Sequence, residues 1–337
     1  MAEKVAVIGA GSWGTAVAGL VARHADEVML WAHSQAVTDG INTSHANPRY
    51  LVDYRLPDNV RSTTSLTRAA DGAEAIFVVT PSSHVRATCE GLAGHVPDEV
   101  PVAVLAKGIE LGSAKTMSEV ADEALGGHER ICALSGPNHA EEVCRGMISA
   151  AVIASRDARA AEGIRSLVID RSFRAYVTDD VTGVEVCGAV KNVIAIACGV
   201  AAGIGLGDNT LAVIMTRGLA EMGRFVSSLG GDPITCMGLA GMGDLIATCT
   251  SRHSRNRSFG VGLAGGQTLE EYESATHMVV EGARAALSVH GISVERSVEA
   301  PITCAVRNLI TGERSVDGAM GDLLDRLPHD EFYGFDE

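Results

Sequence analysis

Three short stretches place polar residues where the surrounding chain is apolar. "AKGIE" sets Lys107 just past an apolar run, and "VKNVIAIA" sets Lys191 and Asn192 at the start of a long one. "GLAGMGDLIATCTSRHSRNRSFG" carries Asp244, Thr248, Ser254, Asn256 and three arginines, Arg252, Arg255 and Arg257. A lysine entering so apolar a segment can snorkel or pair with an acid. It can also use desolvation to lower its pKa and become a proton donor or acceptor, and a second lysine nearby pushes in the same direction. Asp244 and Thr248 are four residues apart and would share a helix face. Together with Asn192 they could orient an ammonium group. The arginine cluster could be a solvated loop. Isolated between glycine-rich turns in a chain of net charge −15, it points rather to an anion site for a phosphate-bearing substrate. "SGPNHAEEV" adds Ser135, Gly136 and Asn138 where another strand gives way to a helix.

A second kind of chemistry sits at the N-terminus. "VAVIGAGSWGTAVA" holds Gly9, Gly11 and Gly14 in GxGxxG spacing, after an apolar run and before a helical pattern. The first glycine permits a tight turn, the second lets backbone approach a pyrophosphate, and the third lets helix and strand pack closely. The helix N-terminus then offers unpaired N–H groups to the phosphates. An acidic residue about 20 positions on would grip a ribose 2′-hydroxyl. The second strand instead ends Trp31, Ala32, His33, Ser34, with no carboxylate. His33 and Ser34 can donate to a 2′-phosphate, which favours NADPH over NADH or makes the site indifferent.

These groups need elements to hold them, and the chain supplies two kinds. Up to about residue 180, apolar runs at 27–33, 74–81, 101–108, 131–137, 148–155 and 173–178 follow the first one, with helical patterns between them at 13–23, 82–93 and 113–125. That alternation predicts an α/β domain built on a parallel sheet covered on both faces. Beyond it the patterns are helical: 208–231, capped by Asp208 or Asn209 and ended by Gly230-Gly231, then 268–274, 279–290, 299–311 and 317–326. The expected organisation is an N-terminal Rossmann-like domain over 1–185 and an all-α domain over 186–337, with residues 328–337 as a surface tail.

Composition sets limits. A chain of 337 residues makes two domains the natural reading. An acidic balance of this size is repelled by nucleic acid and by anionic membranes. The apolar segment after Lys191 reads as too short and too glycine-rich to span a bilayer, so stable membrane insertion is not expected. The eight cysteines form no CxxC pair, and buried free thiols in a reducing compartment account for them. No export signal is visible. A cytoplasmic protein without a metal centre is expected.

The motifs "GAGSWGTA", "AKGIE", "SGPNHAEEV", "VKNVIAIACG", "DNTLAVIMTRGLAEM" and "GLAGMGDLIATCTSRHSRNRSFG" resemble those of the bacterial-type NAD(P)-dependent glycerol-3-phosphate dehydrogenases, from about residue 4 to about 325. The resemblance implies reversible reduction of dihydroxyacetone phosphate to sn-glycerol 3-phosphate, which supplies phospholipid backbones, by a homodimer. Lys191 resembles the family's proton acceptor in the oxidative direction, and Lys107 the lysine that touches substrate and cofactor. Gly136, Asn138, Asp244, Ser254, Arg255 and Asn256 match its substrate contacts. Ser12, Trp13, Ala140, Arg255, Val279 and Glu281 match its cofactor contacts. Two positions depart from the pattern: His33 stands where many members carry Arg, and Asn138-His139 where many carry Ser before "FA". A dehydrogenase of another small hydroxy acid or hydroxy sugar would not need the arginine cluster. A non-catalytic dinucleotide sensor would not need Lys191.

Overall fold

The computed structural model describes residues 1–126, 129–325 and Gly334, and residues 328–333 and 335–337 of the expected tail lie outside them. Two compact units emerge: Met1–Ala106 with Met117–Val181, and Lys107–Thr116 with Thr182–Glu337. The segment Lys107–Thr116, expected within the N-terminal domain, therefore groups with the second unit. Lys107 is ion-paired there, as described below.

The first unit is an eight-stranded sheet with strands β1 (Ala2–Ile8), β2 (Ala25–Trp31), β3 (Val60–Thr63), β4 (Ala75–Val78), β5 (Val102–Val104), β6 (Ile131–Ser135), β7 (Ser149–Ala154) and β8 (Phe173–Thr178). Their order in the sheet is β3-β2-β1-β4-β5-β6-β7-β8. All neighbours are parallel except β6 and β7, which run antiparallel. The expectation of a parallel sheet is thus corrected at one seam: β7 and β8 form a parallel pair running against the other six. A run such as Ile148–Ser155 carries no mark of direction, because a strand buried on both faces reads the same either way.

Among the described residues, seven α-helices accompany the sheet: α1 (Ser12–Val21), α2 (Gln35–Ser44), α3 (Leu66–Ala70), α4 (Val85–Leu92), α5 (Met117–Leu125), α6 (Ala140–Val143) and α7 (Ala158–Val168). Alternate strand residues feed two apolar layers. Val5, Val7, Phe77 and Leu134 pack on the side of α1 and α7. Ala6, Ile8, Ile76, Val78 and Ile131 pack on the side of α4 and α5.

The second unit is built on α8 (Val181–Gly203), α9 (Asp208–Ser228), α10 (Asp244–Thr250), α11 (Arg255–Ala264), α12 (Leu269–Thr276), α13 (Glu281–Glu295), α14 (Pro301–Ile310) and α15 (Val316–Leu324). Helix α9 is capped by Gly207, not by Asp208 or Asn209. Asp208 occupies its first turn, where a carboxylate suits the helix dipole. Glu221 on α9, fully buried, accepts hydrogen bonds from Ile302 N, Thr303 N and Thr303 Oγ1, and so caps the start of α14. Helix α8 starts well before Lys191, so the apolar element is longer than expected. Its 23 residues are enough to cross a bilayer by length and composition, but 83% of its most apolar window is buried in the protein. It also carries buried Glu185 and Lys191, charges that suit a core helix rather than a lipid-facing one. All eight cysteines are free, six of them buried.

Candidate active site

In the first unit, the glycines meet three different physical demands. Gly9 follows β1 at φ +125°, a left-handed backbone that L side chains rarely adopt. Gly14, in the first turn of α1, has the carbonyl oxygen of Gly9 only 1.7 Å from where a Cβ would stand. Gly11 has no atom within 4 Å of that position. Nothing in the fold therefore requires glycine at 11, and the space it leaves open, at the start of α1, is what a pyrophosphate needs. Ser12 and Trp13 open α1 beside it. The turn is held from below by Asn47, fully buried, whose Nδ2 donates to Ala10 O at 2.9 Å and to Thr15 Oγ1 at 2.8 Å. Its Oδ1 accepts from Arg49 N and Tyr50 N. Sequence reasoning misses Asn47, because its role lies in its partners and no motif spacing marks it.

This division of labour predicts opposite outcomes for two alanine substitutions. Gly11→Ala should melt like the parent yet weaken NADPH binding on the order of tenfold or more, because its methyl group enters the pyrophosphate space. Gly14→Ala should destabilise at or above the roughly 1–3 kcal/mol usual for overpacking, because backbone must move. Melting curves with and without NADPH separate the two. Equal behaviour of both variants would contradict the assignment.

The remaining expected cofactor and substrate positions of this unit lie at strand ends. His33 is exposed, two residues past β2, with its ring edge-on to Trp31. Ser34 precedes α2 without capping it through its side chain. Gly136 and Asn138 follow β6 in a loop, and the expected helix begins only at Ala140, which is buried.

The second unit assembles the titratable cluster. Lys191 lies mid-way along α8, not at its start, and is 5% exposed. Its Nζ donates to Asp244 Oδ1 at 2.8 Å and to Thr248 Oγ1 at 2.7 Å. Thr248 Oγ1 is 3.1 Å from the same carboxylate oxygen. The other oxygen, Asp244 Oδ2, accepts from Lys107 Nζ at 2.6 Å. One buried carboxylate thus holds two ammonium groups. Asp244 and Thr248 share a face of α10 as their spacing implies. A π-turn over Leu239–Gly243 leads directly into that helix, the kind of irregularity frequent at functional sites.

Electrostatics follow from this arrangement. Burial and the like charge of Lys107 lower the pKa of Lys191, Asp244 draws it back up, and the outcome is about 8. Burial opposes the charge on Asp244, but the two lysines outweigh it and hold the carboxyl below the usual range. A lysine near pH 8 can both give and take a proton under ordinary conditions.

Asn192 does not orient the ammonium group, contrary to expectation. Adjacent residues on a helix point in different directions. Its amide instead bonds to Gly188 O and accepts from Asn256 Nδ2 at 2.8 Å. Asn256 Oδ1 in turn accepts from Gly282 N at 2.9 Å. These two amides tie α8 to the starts of α11 and α13. The arginine cluster is likewise not a free loop. Ser254, buried, caps α11 by accepting from Arg257 N, so Arg255 and Asn256 form the helix's first turn. Arg255 Nη1 donates to Val279 O at 3.3 Å, two residues before α13 begins. An exposed guanidinium and the N–H groups of a helix N-terminus are a suitable cradle for a phosphate.

The chain is similar to known glycerol-3-phosphate dehydrogenases. A family model for the N-terminus of NAD-dependent glycerol-3-phosphate dehydrogenase matches residues 4–161, and one for the C-terminus matches residues 180–321. A curated glycerol-3-phosphate dehydrogenase (NAD(P)+) from Nocardia farcinica is 45% identical over 330 residues, covering 96% of this chain and 98% of the relative. The crystal structure of glycerol-3-phosphate dehydrogenase from Coxiella burnetii superposes with a TM-score of 0.92 at 35% identity, covering 96% of this chain and 99% of that one. The corresponding enzyme of Saccharomyces cerevisiae gives a TM-score of 0.82 at 28% identity, over 97% and 100% of the two chains.

Proposed function

This chain belongs to the NAD-dependent glycerol-3-phosphate dehydrogenase family, and from that premise we propose that Lys191 is the proton donor and acceptor of its reaction. The reaction is the reversible reduction of dihydroxyacetone phosphate to sn-glycerol 3-phosphate with NAD or NADP. The observation that carries the lysine's role is its buried Nζ, bonded to Asp244 and Thr248, with Lys107 on the same carboxylate.

The nicotinamide, when bound, supplies the hydride to the carbonyl carbon or accepts it from the carbinol carbon. The protein's own groups handle the proton and the phosphate. In the reductive direction Lys191 enters as ammonium and gives its proton to the ketone oxygen as that oxygen becomes a hydroxyl. In the oxidative direction it enters as amine and takes the hydroxyl proton. Asp244 and Thr248 fix Nζ in place through both half-cycles, so little reorganisation is needed. Lys107, at 18% side-chain exposure and 2.6 Å from the carboxylate, can reach substrate and cofactor. Gly136, Asn138, Ser254, Arg255 and Asn256 complete the substrate contacts, with the phosphate on the guanidinium of Arg255 and the N–H of Asn256. Gly9, Gly11, Ser12, Trp13, Gly14, His33, Ala140, Val279 and Glu281 hold the dinucleotide. Residues 1–185 are thus the main dinucleotide-binding part and 186–337 the main substrate-binding part, with Lys107 contributed to the latter.

With no carboxylate after β2, and with His33 exposed and the Ser34 hydroxyl free of capping duty, NADPH should be used at least as well as NADH. The test is turnover of dihydroxyacetone phosphate with each cofactor, followed by nicotinamide absorbance. Oxidation with neither would overturn the reading as a whole. A strong NADH preference would remove His33 and Ser34 from the 2′-phosphate. A homodimeric, cytoplasmic enzyme without stable membrane insertion, feeding glycerophospholipid synthesis, is the setting consistent with the resemblance, the acidic charge and the free thiols.

The phosphate assignment has its own test. Hydrogen bonds to charged groups contribute about 1.5–3 kcal/mol. Arg255→Ala should therefore lower kcat/KM for dihydroxyacetone phosphate by about 10–150-fold. With unphosphorylated dihydroxyacetone the variant and its parent should be nearly equal. Equal losses on both ketones, with the melting curve unchanged, would show that Arg255 does not read the phosphate.

A further inference from the structure

Thr80 stands two residues past β4, where the strand order turns. β1 has β2 and β3 on one side and β4 and β5 on the other, and in open α/β sheets ligands bind outside the carboxyl ends of strands at such a point. The local register is tight. Val79 N donates to Ile8 O at 2.8 Å, and the backbone of Val79 and Thr80 fills the space where a Cβ on Gly9 would stand, Thr80 N being 3.1 Å from it. Thr80 thus lies directly against the turn that leads to Gly11.

Its side chain is out of character there. Ile76, Phe77 and Val78 before it are apolar and fully buried. Ile76 and Val78 belong to the apolar layer on one face of the sheet, and Thr80 follows the strand in a bend. Packing alone would be met by valine, which has the same shape without the hydroxyl. Thr80 is 6% exposed, and its Oγ1 is buried without a hydrogen-bond partner. A buried polar atom without a partner carries a cost of about 1–3 kcal/mol. Such atoms are few in native proteins and call for a reason.

We propose that the Thr80 hydroxyl is a dinucleotide-binding group, left without a partner in the free protein and satisfied by an oxygen of bound NAD(P). This rests on the reading of the GxGxxG turn as the cofactor cradle. It adds a contact from the end of β4 to a cradle otherwise built by β1 and α1. The hydroxyl is held ready by the β1–β4 register, so ordering it on binding costs little.

Two substitutions and two measurements on the full chain test the proposal. Thr80→Val removes the hydroxyl and keeps the shape; Thr80→Ser keeps the hydroxyl. Without cofactor, Thr80→Val should melt at the parent's temperature or above it. Its NADPH dissociation constant, from fluorescence titration, should rise roughly 2- to 10-fold, while Thr80→Ser stays near the parent. A lower melting temperature for Thr80→Val without cofactor would show that the hydroxyl already has a partner, and would overturn the proposal. So would an unchanged dissociation constant. A parent protein that does not bind NADPH would bring down the cradle reading itself, and Thr80 with it; the titration of the parent separates that outcome from a failure at Thr80 alone.

Discussion

Lys191→Met should lower kcat by about 10²–10⁴-fold, the usual contribution of a positioned acid–base group, while NADPH affinity hardly changes. Methionine keeps most of the apolar stem and removes the ammonium. The fold should survive, because Asp244 keeps Lys107 as a partner at 2.6 Å and so is not left as a buried charge without a counter-charge. Steady-state rates in both directions, with an NADPH titration as control, check the prediction. Near-normal turnover would take Lys191 out of the mechanism. Loss of NADPH binding in step with turnover would mean that the lysine supports the cofactor and not the proton transfer.

Asp244→Asn should be the most damaging change to stability among the site residues. The carboxylate is 3% exposed and neutralises two lysines. Removing one partner from a buried ion pair costs about 3–5 kcal/mol, since the charge left behind stays desolvated. The cost should depend on pH with a definite sign. Below the Lys191 pKa of about 8, the variant must keep two facing ammonium groups or give up a proton against the solution. Above it, Lys191 is already neutral and only Lys107 lacks its partner. The stability gap between parent and variant should therefore be larger at pH 6 than at pH 9. Denaturant melts at the two pH values measure it. A gap that is flat, or that grows with pH, would show that Asp244 does not balance the lysine charges.

Much of the site is legible in the amino-acid sequence. The glycine turn can be read because its three positions answer three steric demands in fixed order, and the fold separates them one by one. Lys191 stands out because a charge in "VKNVIAIA" is anomalous on composition alone. The Asp244–Thr248 spacing suggests Asp244 as its partner, though the two lysines that meet on one carboxylate are 84 residues apart in the chain (Lys107 and Lys191), a distance that no local pattern spans. Strand β3 leaves no clear trace because Val60–Thr63 is four residues long and three of them are polar, too short for a period of two to show. The reversal between β6 and β7 leaves none because apolarity records burial and not direction. Asn192 is misleading in the sequence because it adjoins Lys191, whereas its side chain turns toward Asn256. Asn47 and Thr80 carry no motif at all; only a partner in one case, and a missing partner in the other, marks them out.

In the proposed mechanism a lysine titrating near pH 8 beside Asp244 moves the proton. The most direct test is the pH dependence of kcat for oxidation of sn-glycerol 3-phosphate. Oxidation needs the neutral amine, so the rate should rise with pH through a single ionisation near about 8. In Asp244→Asn, which loses the attraction that holds the lysine's proton, the same ionisation should move to lower pH. A profile without that ionisation, or one whose midpoint is the same in parent and variant, would contradict the account.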